Sequence, residues 1–166
     1  MREKVSCLEC GALMEITRGP YRYGRGLDVV LHDIETRRCP ECGHDEVVIP
    51  RIEELHRTIA RAISRRPGRL EPGEIRFLRT YLGYSSVDFA ALLGVTPETV
   101  SRWERTSKPQ QMGKVAERLL RMLAQYGEPD RIYDLEAVLL TDGEVRGKGP
   151  VTIAGSAGSW KVAEAC

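Results

Sequence analysis

An α+β chain is predicted, with a small β domain first and an all-helical domain after it. Three observations lead there. A C-x-x-C-G motif occurs twice, at Cys7–Gly11 and Cys39–Gly43. Hydrophobic periodicity changes after Pro50 from loose alternation to helical spacing. Charge separates the middle of the chain from its two ends: residues 1–50 carry −2, residues 51–126 carry +6 and residues 127–166 carry −3.

The 166 residues, 42% hydrophobic and 30% charged, suffice for one or two small domains. No apolar run approaches the ~20 residues that a bilayer span needs. Met1-Arg2-Glu3-Lys4 leads into cysteines and charges rather than into the apolar stretch of a secretory leader, so a cytoplasmic protein with no membrane partner is expected. Collagen, coiled-coil and bulk-disorder compositions do not fit. A basic middle between mildly acidic ends suits a module that binds a polyanion; an arginine-rich solvated helix surface would give the same sum.

Each cysteine pair suits a metal knuckle. Two thiolates from one tight turn can point at one tetrahedral ion, and the glycine after each pair can take the positive φ that closes the turn. Pro40 stiffens the second knuckle. Together Cys7, Cys10, Cys39 and Cys42 make a closed four-thiolate set with no open coordination position, which implies one structural Zn²⁺ per chain. The competing readings are paired disulfides, a thioredoxin-type redox motif and an iron–sulfur centre. Nothing indicates export, a redox motif calls for a single pair at a helix start, and an iron–sulfur centre also uses four cysteines. His32 and His44 are bystanders on this reading, although His44 can replace a cysteine if one knuckle is misread. Cys166 is expected as a free thiol.

Residues 1–50 form the metal-binding domain. Between the knuckles, Ala12–Thr17 alternates, Gly19-Pro20 punctuates, Tyr21–Arg25 ends at Gly24 and Gly26, and Leu27–Leu31 is an apolar run. A small sheet with a knuckle at each end fits, and metal binding supplies much of its folding free energy. Arg22, Tyr23 and Arg25 read as a solvated strand edge.

Residues 51–71 are a connecting helix and linker. Ile52, Leu55, Ile59 and Ile63 form one apolar stripe, with Arg51, Arg57, Arg61, Arg65 and Arg66 on the other face. This helix is expected to pack on the metal domain or against a copy of itself. Pro67–Gly73 breaks the pattern as a linker.

Residues 72–126 read as a helix-turn-helix domain. Pro72 opens a helix with Ile75, Leu78 and Leu82 on one face, ended by Gly83. Ser85 or Ser86 caps a short helix with Phe89, Ala90 and Leu93. Gly94-Val95 turns sharply, Thr96 caps the next helix and Pro97 takes its first position. Val100 and Trp103 face inward, and Ala90 is small where the two helices cross. Gln111–Gln125 forms the last helix through Val115, Leu119, Met122 and Leu123. The second short helix presents Glu98, Thr99, Ser101, Arg102 and Arg105, a face that suits the DNA major groove. Arg102 can fork onto guanine O6/N7, Glu98 can accept from cytosine N4, and Thr99 can touch a thymine methyl. Amides near Ser85, Ser86 and Thr96 can bind phosphate, as can Arg105 and Lys108.

The run Phe89–Glu104 resembles the Cro/C1-type helix-turn-helix family, and two C-x-x-C-G knuckles upstream of it resemble the YgiT-type zinc finger/helix-turn-helix family, which includes the MqsA-type antitoxins. The resemblance covers about residues 5–126. It implies a homodimer on palindromic operator DNA and, in the antitoxin branch, a zinc domain that binds a toxin protein. It matches Cys7, Cys10, Cys39 and Cys42 to the zinc ligands and places Glu98, Thr99, Ser101 and Arg102 on the recognition helix. Ser86 stands where the family often has glutamine, Thr106 where it commonly has glycine, and residues 127–166 have no counterpart.

In that tail, Ala137–Val145 can form a hairpin around Asp142-Gly143 and Val151–Ala154 a further strand, while Gly155–Ser159 reads as small and flexible. The function expected is a DNA-binding transcriptional regulator, an autorepressor and possible antitoxin. A redox or iron–sulfur protein, and a protein-binding adaptor whose helix-turn-helix does not bind DNA, are the alternatives. His32, His44 and His56 have no nucleophile partner, so no enzyme is expected.

Overall fold

A computed structural model describes residues 4–24, 26–127, 153–156 and 159–162. Its described elements are a three-stranded antiparallel sheet, five helices and a separate two-stranded sheet, a mixed α+β architecture. Strands β1 (Glu15–Tyr23), β2 (Val29–Arg38) and β3 (Asp45–Val48) run as a meander with β2 central.

Gly19-Pro20 does not interrupt β1, contrary to expectation. Gly19 pairs with Ile34 and Tyr21 with Leu31, so β2 carries one extra residue opposite Pro20. Asp33 absorbs the bulge at φ 55, a conformation that Asp tolerates better than most residues. Pro20 lies on an edge strand, where its missing N–H is tolerated.

Helix α1 (Ile52–Arg65) buries Ile59, Ala60 and Ile63. That face packs against α2 (Pro72–Tyr81) and α5 (Lys114–Tyr126). The sheet reaches the same core through Tyr23, whose hydroxyl lies 2.6 Å from His56 Nε2 on α1, and His56 in turn sits edge-on to Phe77 of α2.

The Pro67–Gly73 stretch, which reads as a linker, is pinned by charge. Arg121 of α5 donates to the carbonyls of Ile63, Ser64, Arg66 and Gly68, capping the C-terminus of α1. Arg69 and Arg121 both bind buried Glu117, which also accepts from the Leu70 N–H. Arg66 binds buried Glu74 at 2.6 Å. Burial of Glu117 also corrects the register of α5. The inward stripe is Glu117, Leu120, Leu123 and Ala124, while Val115 and Met122 are 80% and 54% exposed.

Helix α2 starts with Pro72 at its first position and a capping box between Glu71 and Glu74. Short helices α3 (Ser86–Leu92) and α4 (Pro97–Trp103) follow. Phe89, Ala90, Val100 and Trp103 are buried where they meet. The fully enclosed Phe89, Leu78 and Val100 contribute roughly 1.5–3 kcal/mol each to the core. Between α3 and α4, Gly94 takes φ 63 and the Val95 N–H returns to the Ala90 carbonyl at 2.9 Å.

In the C-terminal region, β4 (Ile153–Ser156) pairs antiparallel with β5 (Ser159–Val162). Gly155 and Ser156, expected to be flexible, are therefore strand residues opposite Trp160 and Ser159. The hairpin expected over 137–145, Arg25, Val151 and Cys166 lie outside the described residues.

Candidate metal centre and α4 surface

The register of the sheet brings the two cysteine pairs together. Glu15, just after the first knuckle, pairs with Arg38, just before the second, and Arg38 pairs with Asp45 as β3 begins. The two turns have the same build. Gly11 N–H donates to Cys7 O at 2.9 Å and Gly43 N–H to Cys39 O at 3.0 Å. Cys7 N–H donates to Ala12 O and Cys39 N–H to His44 O, both at 2.8 Å. The glycines sit at φ 76 and 75, where an L side chain is strained.

The sulfurs meet crosswise, Cys7 Sγ to Cys42 Sγ at 3.6 Å and Cys10 Sγ to Cys39 Sγ at 3.4 Å. All four lie within 4.8 Å of one another, consistent with a metal site. A tetrahedral ion bound to thiolates at about 2.3 Å places its sulfurs about 3.8 Å apart, so the cluster closes around such an ion with little movement. Two positions, Cys7 and Cys39, are buried against Met14, and two, Cys10 and Cys42, are exposed. His44 turns to Glu46 Oε1 at 3.6 Å and is not one of the group, and His32 lies exposed on β2.

The thiols do not ionise alike. The Cys42 backbone N–H, aided by the Cys10 thiol and the Glu41 amide, holds Cys39 down to about 6 against the opposing effect of burial. The His44 amide favours the Cys42 thiolate, but the Cys39 thiol, burial and the thiols of Cys10 and Cys7 outweigh it and push Cys42 up to about 12. Four thiolates this close repel one another, and a bound cation removes that conflict.

The second candidate surface is the outer face of α4. Pro97, Glu98, Ser101, Arg102 and Arg105 border one shallow open depression. The Glu98 carboxyl is held below the usual range, chiefly by its own backbone N–H, then by the Thr96 hydroxyl and the Arg102 charge.

Other residues assigned to this surface are engaged in capping. Thr96 Oγ1 accepts from Thr99 N–H at 3.3 Å and lies 3.2 Å from the Thr99 hydroxyl. Ser85 accepts from Asp88 N–H and donates to the Asp88 carboxylate at 2.5 Å, so Asp88 puts a negative charge at the start of α3. Ser86 is half-buried, and Lys108 is exposed at φ 50.

What holds α4 in place escaped the sequence reading. Arg79 of α2, 9% exposed, grips the carboxylate of Glu104, 5% exposed, at 2.6 and 3.0 Å, and donates to Tyr84 O at 2.7 Å. Glu104 caps the C-terminus of α4. The signal was present: Arg79 falls on the inward stripe with Ile75, Leu78 and Leu82, and a cation there requires an acid. Beyond Glu104 the chain folds back, with Gln110 N–H donating to Arg102 O at 3.1 Å.

No helix among the described residues is long and apolar enough to cross a membrane. Comparison of the chain with family models, curated proteins and solved structures gives no match.

Proposed function

We propose that this chain is a sequence-specific DNA-binding regulator of transcription, with a helix-turn-helix formed by α3 and α4 and a zinc domain held by Cys7, Cys10, Cys39 and Cys42. The observation that carries the reading is the outer face of α4. Its buried side, Val100 and Trp103, is fixed in the core, while Glu98, Ser101, Arg102 and Arg105 stand exposed around one depression. A short polar helix presented in this way has the dimensions to enter a major groove.

On this reading Arg102 forks onto guanine and Glu98 accepts from cytosine N4, its charge also disfavouring nonspecific contact with phosphate. Arg105, Lys108 and the amides near Ser86 and Thr96 hold the backbone. Ser85 contributes less, because Asp88 competes with phosphate beside it. The two knuckles use zinc structurally: four thiolates fill a tetrahedron and leave no site for chemistry, which suits a binding protein rather than an enzyme. A symmetric dimer would read an inverted repeat. The exposed Leu8 and Leu13 at the first knuckle offer apolar surface to a protein partner, which supports the toxin-binding sub-case.

Arg102→Ala tests the reading. It is expected to weaken binding to the selected operator by ~1–3 kcal/mol and to relax preference at one base pair. Equal operator binding by the variant and the wild type would overturn the role of Arg102. Elemental analysis of colourless protein with one zinc per chain supports the metal assignment, whereas iron with visible absorption would replace it with an iron–sulfur centre.

A further inference from the structure

Helix α1 carries a row of arginines that neither the core nor the α4 surface uses. Arg57, Arg61 and Arg65 follow at i, i+4 and i+8, all exposed, on the side of the helix opposite buried Ile59, Ala60 and Ile63. Among the described residues, none of the three forms an ion pair, although Glu53 lies one turn before Arg57 and Glu54 is taken by Arg51 at 3.0 Å. Arg65 is held in place by Gln125 of α5, which accepts from its Nε at 3.1 Å. Arg118, one turn before Arg121 on the side of α5 that meets α1, is exposed and likewise without an ion pair among the described residues. The nearby acids, Glu74 and Glu117, are buried and already bound to arginine.

We infer that this ridge is a second DNA contact, gripping the phosphate backbone of duplex DNA without reading sequence. The inference rests on the proposed DNA-binding function and deepens it. Helical rise places the three arginine positions of α1 about 6 Å apart along the axis, over about 12 Å in all. A duplex presents a phosphate charge per ~1.7 Å of axis, so about seven charges fall within that span. Guanidinium is the cation best matched to phosphate oxygens. A membrane surface fits less well, since the apolar face an interfacial helix would insert is buried against α5 and α2. Single-stranded nucleic acid also fits less well, because the row has no aromatic side chain for a base to stack on.

The test uses the zinc-loaded full chain and a labelled 30-base-pair duplex of random sequence, with binding followed by anisotropy across a salt series. The R57Q/R61Q/R65Q variant should lower the slope of log K against log salt by about 2.7, at about 0.9 per lost phosphate contact. Its ranking of operator variants should not change, and the matching lysine triple should keep most of the wild-type slope. An R18Q/R22Q/R38Q control removes the same charge from exposed positions on the sheet and should leave the slope within one of wild type. Circular dichroism checks that each variant is folded. An unchanged slope in the α1 variant, or an equal fall in the control, overturns the ridge while leaving the α4 reading intact. Preference for single strands or anionic vesicles over duplex would also overturn it. A wild-type chain that binds no duplex at all overturns both.

Discussion

Replacing Arg79 with methionine should cost about 3 kcal/mol of folding stability. The side chain makes three hydrogen bonds, two to the Glu104 carboxylate and one to the Tyr84 carbonyl, in a site where both charged partners are nearly solvent-free. Methionine preserves much of the volume but leaves the Glu104 charge buried. The remaining cation, Arg76, reaches Glu104 at 3.3 Å and is itself largely exposed. Removing one partner of a buried pair typically costs ~3–5 kcal/mol, and the Arg76 contact places this case at the low end. For a helical unit of this size that corresponds to a fall in Tm of more than about 10 °C. Urea and thermal melts followed by circular dichroism provide the assay. The double variant Arg79→Met/Glu104→Met should recover at least half the loss, since two apolar side chains leave no stranded charge. A single-variant loss under about 1 kcal/mol, or a double variant worse than the single, would show that this pair does not fix α4.

Other perturbations follow from the same contacts. Stripping the metal with a chelator should abolish amide-exchange protection in β1, β2 and β3 while α2–α5 stay protected; a single cooperative loss of all structure would contradict this. Arg121→Ala removes the cap on α1 and one partner of Glu117, so a loss of ~2–3 kcal/mol is expected in urea melts. Val115→Gln and Met122→Gln should each change stability by less than about 0.5 kcal/mol, because both side chains face solvent; a loss above 2 kcal/mol would restore them to the core.

Local chemistry was legible in the sequence; long-range ion pairing was not. Each knuckle is written within five residues, and the spacing of Cys, Cys and Gly fixes the turn whatever surrounds it. The pair α3 and α4 was legible for a similar reason: Ser85 and Thr96 cap, Pro97 starts a helix, and Gly94 takes the positive φ between them. The inward face of α5 was misread because it includes Glu117, whose burial depends on Arg69, distant in the chain. A hydrophobicity pattern assigns such a residue to solvent and rotates the stripe toward Val115 and Met122. The Pro67–Gly73 stretch has linker composition, yet its carbonyls and side chains are held by Arg121, Glu117 and Glu74. Tyr23, read as a strand edge, packs into the helical core on a contact with His56 that no local spacing announces.

Reading of duplex sequence by the α4 face is the core of the proposed function. Its most direct test is to mix zinc-loaded protein with sheared genomic DNA from its own source at physiological salt and to sequence what is retained. A sharp peak containing an inverted repeat is expected, with half-sites about 10 base pairs apart or a multiple of that. Retention that shows no enriched sequence and vanishes uniformly as salt rises would contradict it.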